Sequence, residues 1–190
     1  MTDAAFDPMT LPADLPVPKD DGAAKHLLGS TVPDIALPST DGRQVSLAAL
    51  RGTRIVVYAY PRTGRPGEAP LVEDWDLIPG ARGCTPETCG FRDHHAELKA
   101  AGADVFGLST QTTAYQQELV DRLRLPFAIL SDADLALTRA WRLPTFQAAG
   151  ETLLKRLTLV TREARVEHVW YPVYPPDGHA EEVLRWLRAN

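Results

Sequence analysis

Pro-Gly-Ala-Arg-Gly-Cys-Thr-Pro-Glu-Thr-Cys-Gly-Phe-Arg-Asp, residues 79–93, holds both cysteines of the chain and its plainest helix start. Thr85, Pro86 and Glu87 have the order of N-cap, first helical residue and first-turn acid, which predicts a helix over 85–101 that stops at Gly102. Cys84 then falls just ahead of the helix, where unpaired N–H groups and the positive end of the macrodipole favour a thiolate. Arg82 and Arg92 can add full charges, so a pKa below the usual cysteine value of about 8.5 is expected and Cys84 is a candidate nucleophile. Cys89 lies five residues on. On an intact helix that spacing means a rise of roughly 7.5 Å, beyond the roughly 7 Å Cα separation that a disulfide tolerates, so the two sulfurs meet only if the first turn unwinds. The plain alternative makes Cys89 a small core residue and Cys84 an incidental thiol. Its weakness is the position of Cys84 at a helix start.

Outward from this stretch, the 190 residues predict one domain with a full core. The net charge of −5, with basic residues scattered, argues against general nucleic-acid binding. No apolar run approaches the ~18 residues of a membrane span, and residues 1–18 lack the charged flank and apolar run of a secretory signal, so a cytoplasmic protein with no membrane partner is expected. Residues 1–28, with several prolines and no apolar period, are expected to form a loosely ordered arm on a domain spanning 29–190. Asp41-Gly42 marks a small hairpin, and Arg54–Tyr60 is a continuous β-rich run that predicts a central strand buried on both faces. Residues 62–79 make a long connection where two to six residues are usual, with Trp75, Leu77 and Ile78 available as a lid or as anchors. Further strands are expected at 104–110, 127–130, 152–161 and 165–173, with helices at 112–124, 132–142 and 178–188. That order predicts an α/β fold, a mixed central sheet covered by helices on both faces.

His94 and His95, with Asp93 and Glu97, diverge around a helix, so they are read as a solvated face with no metal held. No glycine loop of the phosphate-cradling kind is present, and no cofactor is expected.

Gly83-Cys84-Thr85 followed by Cys89-Gly90-Phe91-Arg92-Asp93 resembles the active-site stretch of peroxiredoxins, most closely the bacterioferritin-comigratory or Q type. The resemblance runs from about Gly29 to the C-terminus, through Val32-Pro33-Asp34, Tyr60-Pro61, Val105–Ser109, Leu130-Ser131-Asp132 and Arg156–Val160. It implies a thioredoxin-like fold, Cys84 as peroxidatic cysteine, Cys89 as resolving cysteine, an intrachain disulfide, and Arg156 as the active-site arginine. The implied reaction is reduction of hydrogen peroxide or organic hydroperoxides, with thioredoxin or a similar dithiol as reductant and a monomer or homodimer as the working form. One departure stands out: the proline and hydroxyl residue that the family places seven and three residues before the cysteine are Leu77 and Ala81 here. Pro61 and Thr63 are then the surviving halves of that motif, displaced to the start of an insertion at about 62–79. The alternatives are a thioredoxin-like metal-delivery module, which has a different cysteine spacing, and an interaction module without peroxidase turnover.

Overall fold

The structure, a computed structural model, describes residues 6–190. A hairpin of β1 (Ala36–Pro38) and β2 (Gln44–Ser46) turns at Asp41-Gly42 and leads through a 3-10 turn at Leu47–Ala49 into β3 (Arg54–Ala59). Helices α1 (Cys84–Asp93) and α2 (His95–Ala100) precede β4 (Ala103–Ser109), and α3 (Thr113–Leu123) precedes β5 (Ile129–Ser131). The chain continues through α4 (Ala136–Trp141), the hairpin β6 (Thr145–Ala148) and β7 (Glu151–Leu154), then β8 (Leu157–Arg162), β9 (Arg165–Trp170) and α5 (His179–Ala189). The main sheet has the order β5-β4-β3-β8-β9, with β3, β4 and β5 parallel and β8 antiparallel to both β3 and β9. Among the described residues no helix is long and apolar enough to cross a membrane.

Strand period decides where the core sits. Ile55, Val57 and Ala59 of β3 point into one layer with Leu108, Leu130, Leu159, Leu137 and Trp141, whereas Val56, Tyr58 and Tyr60 point into the other, beneath α1, α2, α3 and α5. A strand covered on both faces has no polar side, hence the unbroken apolar run. In the second layer Phe91 stacks on Tyr58 with ring centroids 4.4 Å apart and meets the His179 ring edge-on at 6.0 Å. One side chain thereby ties α1 to the central strand and to the closing helix.

The sequence-based expectations differ from the structure in several places, and the helix expected over 132–142 and the strand expected over 165–173 are shorter, at Ala136–Trp141 and Arg165–Trp170. The helix expected over 85–101 begins one residue earlier and is divided at His94, although His94 N–H still bonds the Gly90 carbonyl and Leu98 N–H the His94 carbonyl. The β5 pairing begins at Ile129, so Phe127 and Ala128 only lead into it. The strand expected at 152–161 is two strands: β7 pairs with β6, an element that the sequence did not announce, and β8 pairs with β3. The chain changes pairing partner at Lys155-Arg156, which removes Arg156 from both ladders; no local signal marks a change of partner. Finally, residues 6–28 have little regular structure yet are well fastened. Ala24 and Leu27 are buried in the first core layer, and the Asp21 carboxylate bonds Lys155 Nζ at 2.6 Å and Tyr171 Oη at 2.7 Å. The first five residues of the arm lie outside the described residues.

Phe91→Ala is expected to cost about 3–5 kcal/mol, the usual loss for a fully buried aromatic. Urea unfolding checks it, and a loss under about 1 kcal/mol would show that α1 is held by other contacts.

Candidate active site

Gly83 caps α1 with φ +100°, a left-handed conformation that side chains rarely adopt. A Cβ here would also lie 2.4 Å from Pro176 Cγ and 2.8 Å from Leu11 Cδ1, so glycine is required twice. Glu87 N–H bonds the Gly83 carbonyl at 3.0 Å, which makes Cys84 the first helical residue and corrects the expected Thr85 cap. Pro86 is accommodated because the first N–H groups of a helix have no ladder partner to lose.

Cys84 is 3% exposed, and its sulfur receives a hydrogen bond from Arg156 Nη2 at 3.1 Å. The same guanidinium nitrogen donates to the carbonyls of Gly80, Ala81 and Arg82 at 3.2, 3.4 and 3.0 Å. Nη1 donates to Glu87 Oε2, a carboxylate with no exposure at all. Glu87 lies three residues after Cys84, so both occupy one face of the first turn, and Arg156 bridges them. Arg156 reaches them from the gap between β7 and β8, where its backbone is free of either ladder.

This burial changes the expected acidity of the cysteine. Removal from water pushes the Cys84 thiol up, Arg156 opposes that, and the neighbouring Glu87 carboxylate adds to the rise. Arg82 and Arg92 do not supply the extra charge anticipated for Cys84. Arg82 Nη2 binds the arm carbonyls of Asp7 and Thr10 at 2.5 and 3.1 Å, and Arg92 pairs with Asp93 and the Leu123 carbonyl. Burial likewise pushes Glu87 up, to about 7, against the pull of Arg156. Its Oε1 has no hydrogen-bond partner among the described residues, an oxygen that a proton would satisfy. One buried cation thus faces two groups that compete to be its anion.

Pro61 and Thr63 are both buried at the end of β3, and the backbone of Arg62, between them, favours the Cys84 thiolate. The start of the long loop therefore abuts the cysteine despite the residues between. The Thr63 hydroxyl donates to Gln111 Oε1 at 3.1 Å. The loop itself is pinned by Trp75, which packs with Ala81, Ala148 and Leu153 and against Phe146, while Leu77 is exposed. A cavity of about 330 Å³ lies beside Arg156, walled by Ile78, Pro79, Phe146 and Tyr171. Cys89, half-buried on the same unbroken helix, has its thiol pushed up by burial and eased down by Arg92.

Glu87 was legible only as a first-turn acid, although its i,i+3 spacing from Cys84 was available as a signal. Gln111 had none, since its contact with Thr63 spans 48 residues. His94 Nδ1 bonds Glu97 at 3.0 Å and His95 packs on Phe127. Among the described residues no three His, Cys, Asp or Glu side chains converge as metal ligands.

Residues 27–184 match the family model Redoxin. Peroxiredoxin Bcp of Escherichia coli strain K12 is 31% identical over 166 residues, covering 85% of this chain and 96% of that one. The solved structure of peroxidoxin BcpB from Mycobacterium tuberculosis superposes with a TM-score of 0.68 at 27% identity, over 86% of this chain and 97% of the other. A structure of the Xanthomonas campestris bacterioferritin comigratory protein, described for its alkyl peroxide reduction activity, gives 0.67 at 27% identity over 94% and 98%. With its thioredoxin-like α/β sheet and two cysteines, the chain belongs to the redoxin family and, within it, to the peroxiredoxins of the bacterioferritin-comigratory or Q type, which are thiol-dependent peroxidases.

Proposed function

We propose that Cys84 is the peroxidatic cysteine and Cys89 the resolving one, and that Arg156, Thr63 and Pro61 complete the site. The observation that carries this is the hydrogen bond from the buried Arg156 guanidinium to Cys84 Sγ at 3.1 Å. The Cys84 thiolate attacks one peroxide oxygen, the O–O bond breaks, and the departing alkoxide or hydroxide takes the electron pair and then a proton. Arg156 stabilises that charge because it cannot lose its own, and its planar fork can bond sulfur and oxygen together. Cys84 is left as a sulfenic acid. The Cys89 sulfur displaces water from it to form a disulfide, and an external dithiol of the thioredoxin kind returns both thiols.

The substrates are hydrogen peroxide and organic hydroperoxides; the apolar cavity beside Arg156 has room for an organic group. Glu87 sets when the thiolate is available. With Glu87 ionised, Arg156 is shared between two anions; with Glu87 neutral, as its rise to about 7 allows near neutral pH, Arg156 serves the sulfur alone.

Mass spectrometry after one equivalent of peroxide tests the assignment. Cys89→Ser is expected to accumulate sulfenic acid on Cys84 without a disulfide, and Cys84→Ser to stay unoxidised. Rapid oxidation of Cys84→Ser would reverse the roles. Glu87→Gln keeps an acceptor for Arg156 but removes a charge that holds the Cys84 pKa up, so thiolate absorbance is expected to titrate at lower pH than in the wild type. An unchanged or higher midpoint would mean that Glu87 does not compete for Arg156.

A further inference from the structure

Twenty residues separate Thr63 from Cys84, yet Tyr60 and Cys84 share one buried cluster and the backbone of Arg62, the residue before Thr63, reaches the cysteine. Something other than the chain connection must hold this segment there. Gln111, buried just past the end of β4, directs both the oxygen and the nitrogen of its side-chain amide at one residue, Thr63. Oε1 accepts from the Thr63 backbone N–H at 3.0 Å and from its hydroxyl at 3.1 Å, and Nε2 donates to the Thr63 carbonyl at 3.1 Å. Gln111 is in turn fixed on three sides. Its N–H bonds Ser109 Oγ at 3.1 Å, and its carbonyl accepts from Gln116 Nε2 at 3.1 Å and Ser131 Oγ at 2.7 Å. Ser109 and Gln116 have no exposure, and Thr63 and Ser131 very little.

We propose that Gln111 is a positioning residue for peroxide reduction: it clamps Thr63 beside Cys84 and turns the Thr63 hydroxyl so that its oxygen lone pairs accept the peroxide O–H. The inference rests on Cys84 being the peroxidatic cysteine. The chemistry follows from donor and acceptor counts. A threonine hydroxyl has one proton and two lone pairs, and with its proton given to Gln111 Oε1 it meets a substrate only as an acceptor. An organic hydroperoxide has one O–H to offer and hydrogen peroxide one on each equivalent oxygen, so in either case the oxygen that donates to Thr63 is held over the sulfur, with the remaining oxygen left for Arg156. No leucine or alanine at 111 can do this, and a carboxylate there would lose the donor to the Thr63 carbonyl.

The experiment uses the full chain in the Cys89→Ser background, where only Cys84 reacts. Rates with hydrogen peroxide and with iodoacetamide are compared. Iodoacetamide consumes the thiolate without needing Thr63. Gln111→Leu is expected to slow peroxide oxidation about 10- to 100-fold, the scale of a reacting group misplaced by a fraction of an ångström to an ångström, with alkylation changed less than about 3-fold. Thr63→Val is expected to give a similar loss, and the double variant no more than about 2-fold beyond it, because two members of one unit are not additive. Equal slowing of both reagents, additive losses, or a folded Gln111→Leu that reacts at the parent rate would each overturn the role. If Gln111→Leu does not fold, the same ratio is read on Gln111→Glu, which keeps the acceptor for Thr63 N–H and is expected to show an intermediate peroxide-selective loss; no loss there overturns the proposal. A parent that forms no sulfenic acid overturns the reading of Cys84 itself, whereas a normal parent with unaltered variants overturns Gln111 alone.

Discussion

A guanidinium buried among carbonyls, a carboxylate and a sulfur is the constraint on which the site depends. Burying an unpaired charge costs several kcal/mol, so Arg156 is tolerable only if its surroundings are shaped to it. The carbonyls of residues 80–82 turn inward to meet Nη2, and those residues are the approach to Gly83 and α1. The position of the Cys84 sulfur is thus set by the same contacts that solvate Arg156. A buried pair such as Arg156 with Glu87 adds little to stability compared with an apolar replacement. A cation with one firm partner and one competing for it is useful for chemistry in which an anion at sulfur is converted to a neutral sulfenic acid.

Around this centre the chain is closed by segments from distant parts of the sequence. Leu11 of the arm and Pro176 ahead of α5 fill the space at Gly83, and Arg82 grips the arm through two carbonyls while the Phe6 ring stacks over it at 4.2 Å. Trp75 anchors the long loop to the β6–β7 hairpin. Closure has two electrostatic effects of opposite sign: it raises the cost of ionising Cys84, and it strengthens each hydrogen bond that Arg156 makes. The reactivity of the cysteine depends on that balance more than on the helix dipole alone.

The parts of this fold that were legible in the sequence are those specified locally. The Asp41-Gly42 turn, the two-faced run of β3 and the amphipathic α5 each carry their own period or turn chemistry. Cys84 was legible for the same reason, because a helix start is a local event. What could not be read depends on contacts across the chain. The split between β7 and β8 follows from a change of pairing partner, the fastening of the arm from Arg82, Lys155 and Tyr171, and the rise of the Cys84 pKa from burial that no fifteen-residue window contains. Pro61 and Thr63 were visible as residues, but the contacts that hold Thr63 come from Gln111, 48 positions away.

The geometry of α1 leaves one step unaccommodated in the closed form. Cys84 and Cys89 sit on a continuous helix, at a spacing that forbids a disulfide until the first turn opens and Gly83 leaves its seat between Leu11 and Pro176. A disulfide between them therefore requires local unfolding, of the kind that costs a few kcal/mol at a helix end and considerably more in a core. Amide hydrogen exchange on reduced and disulfide forms measures this most directly. Residues 85–92 are expected to exchange faster in the disulfide form, with 95–101 nearly unchanged. Equal protection of the first turn in both forms, in protein whose Cys84–Cys89 bond is confirmed by mass, would contradict it.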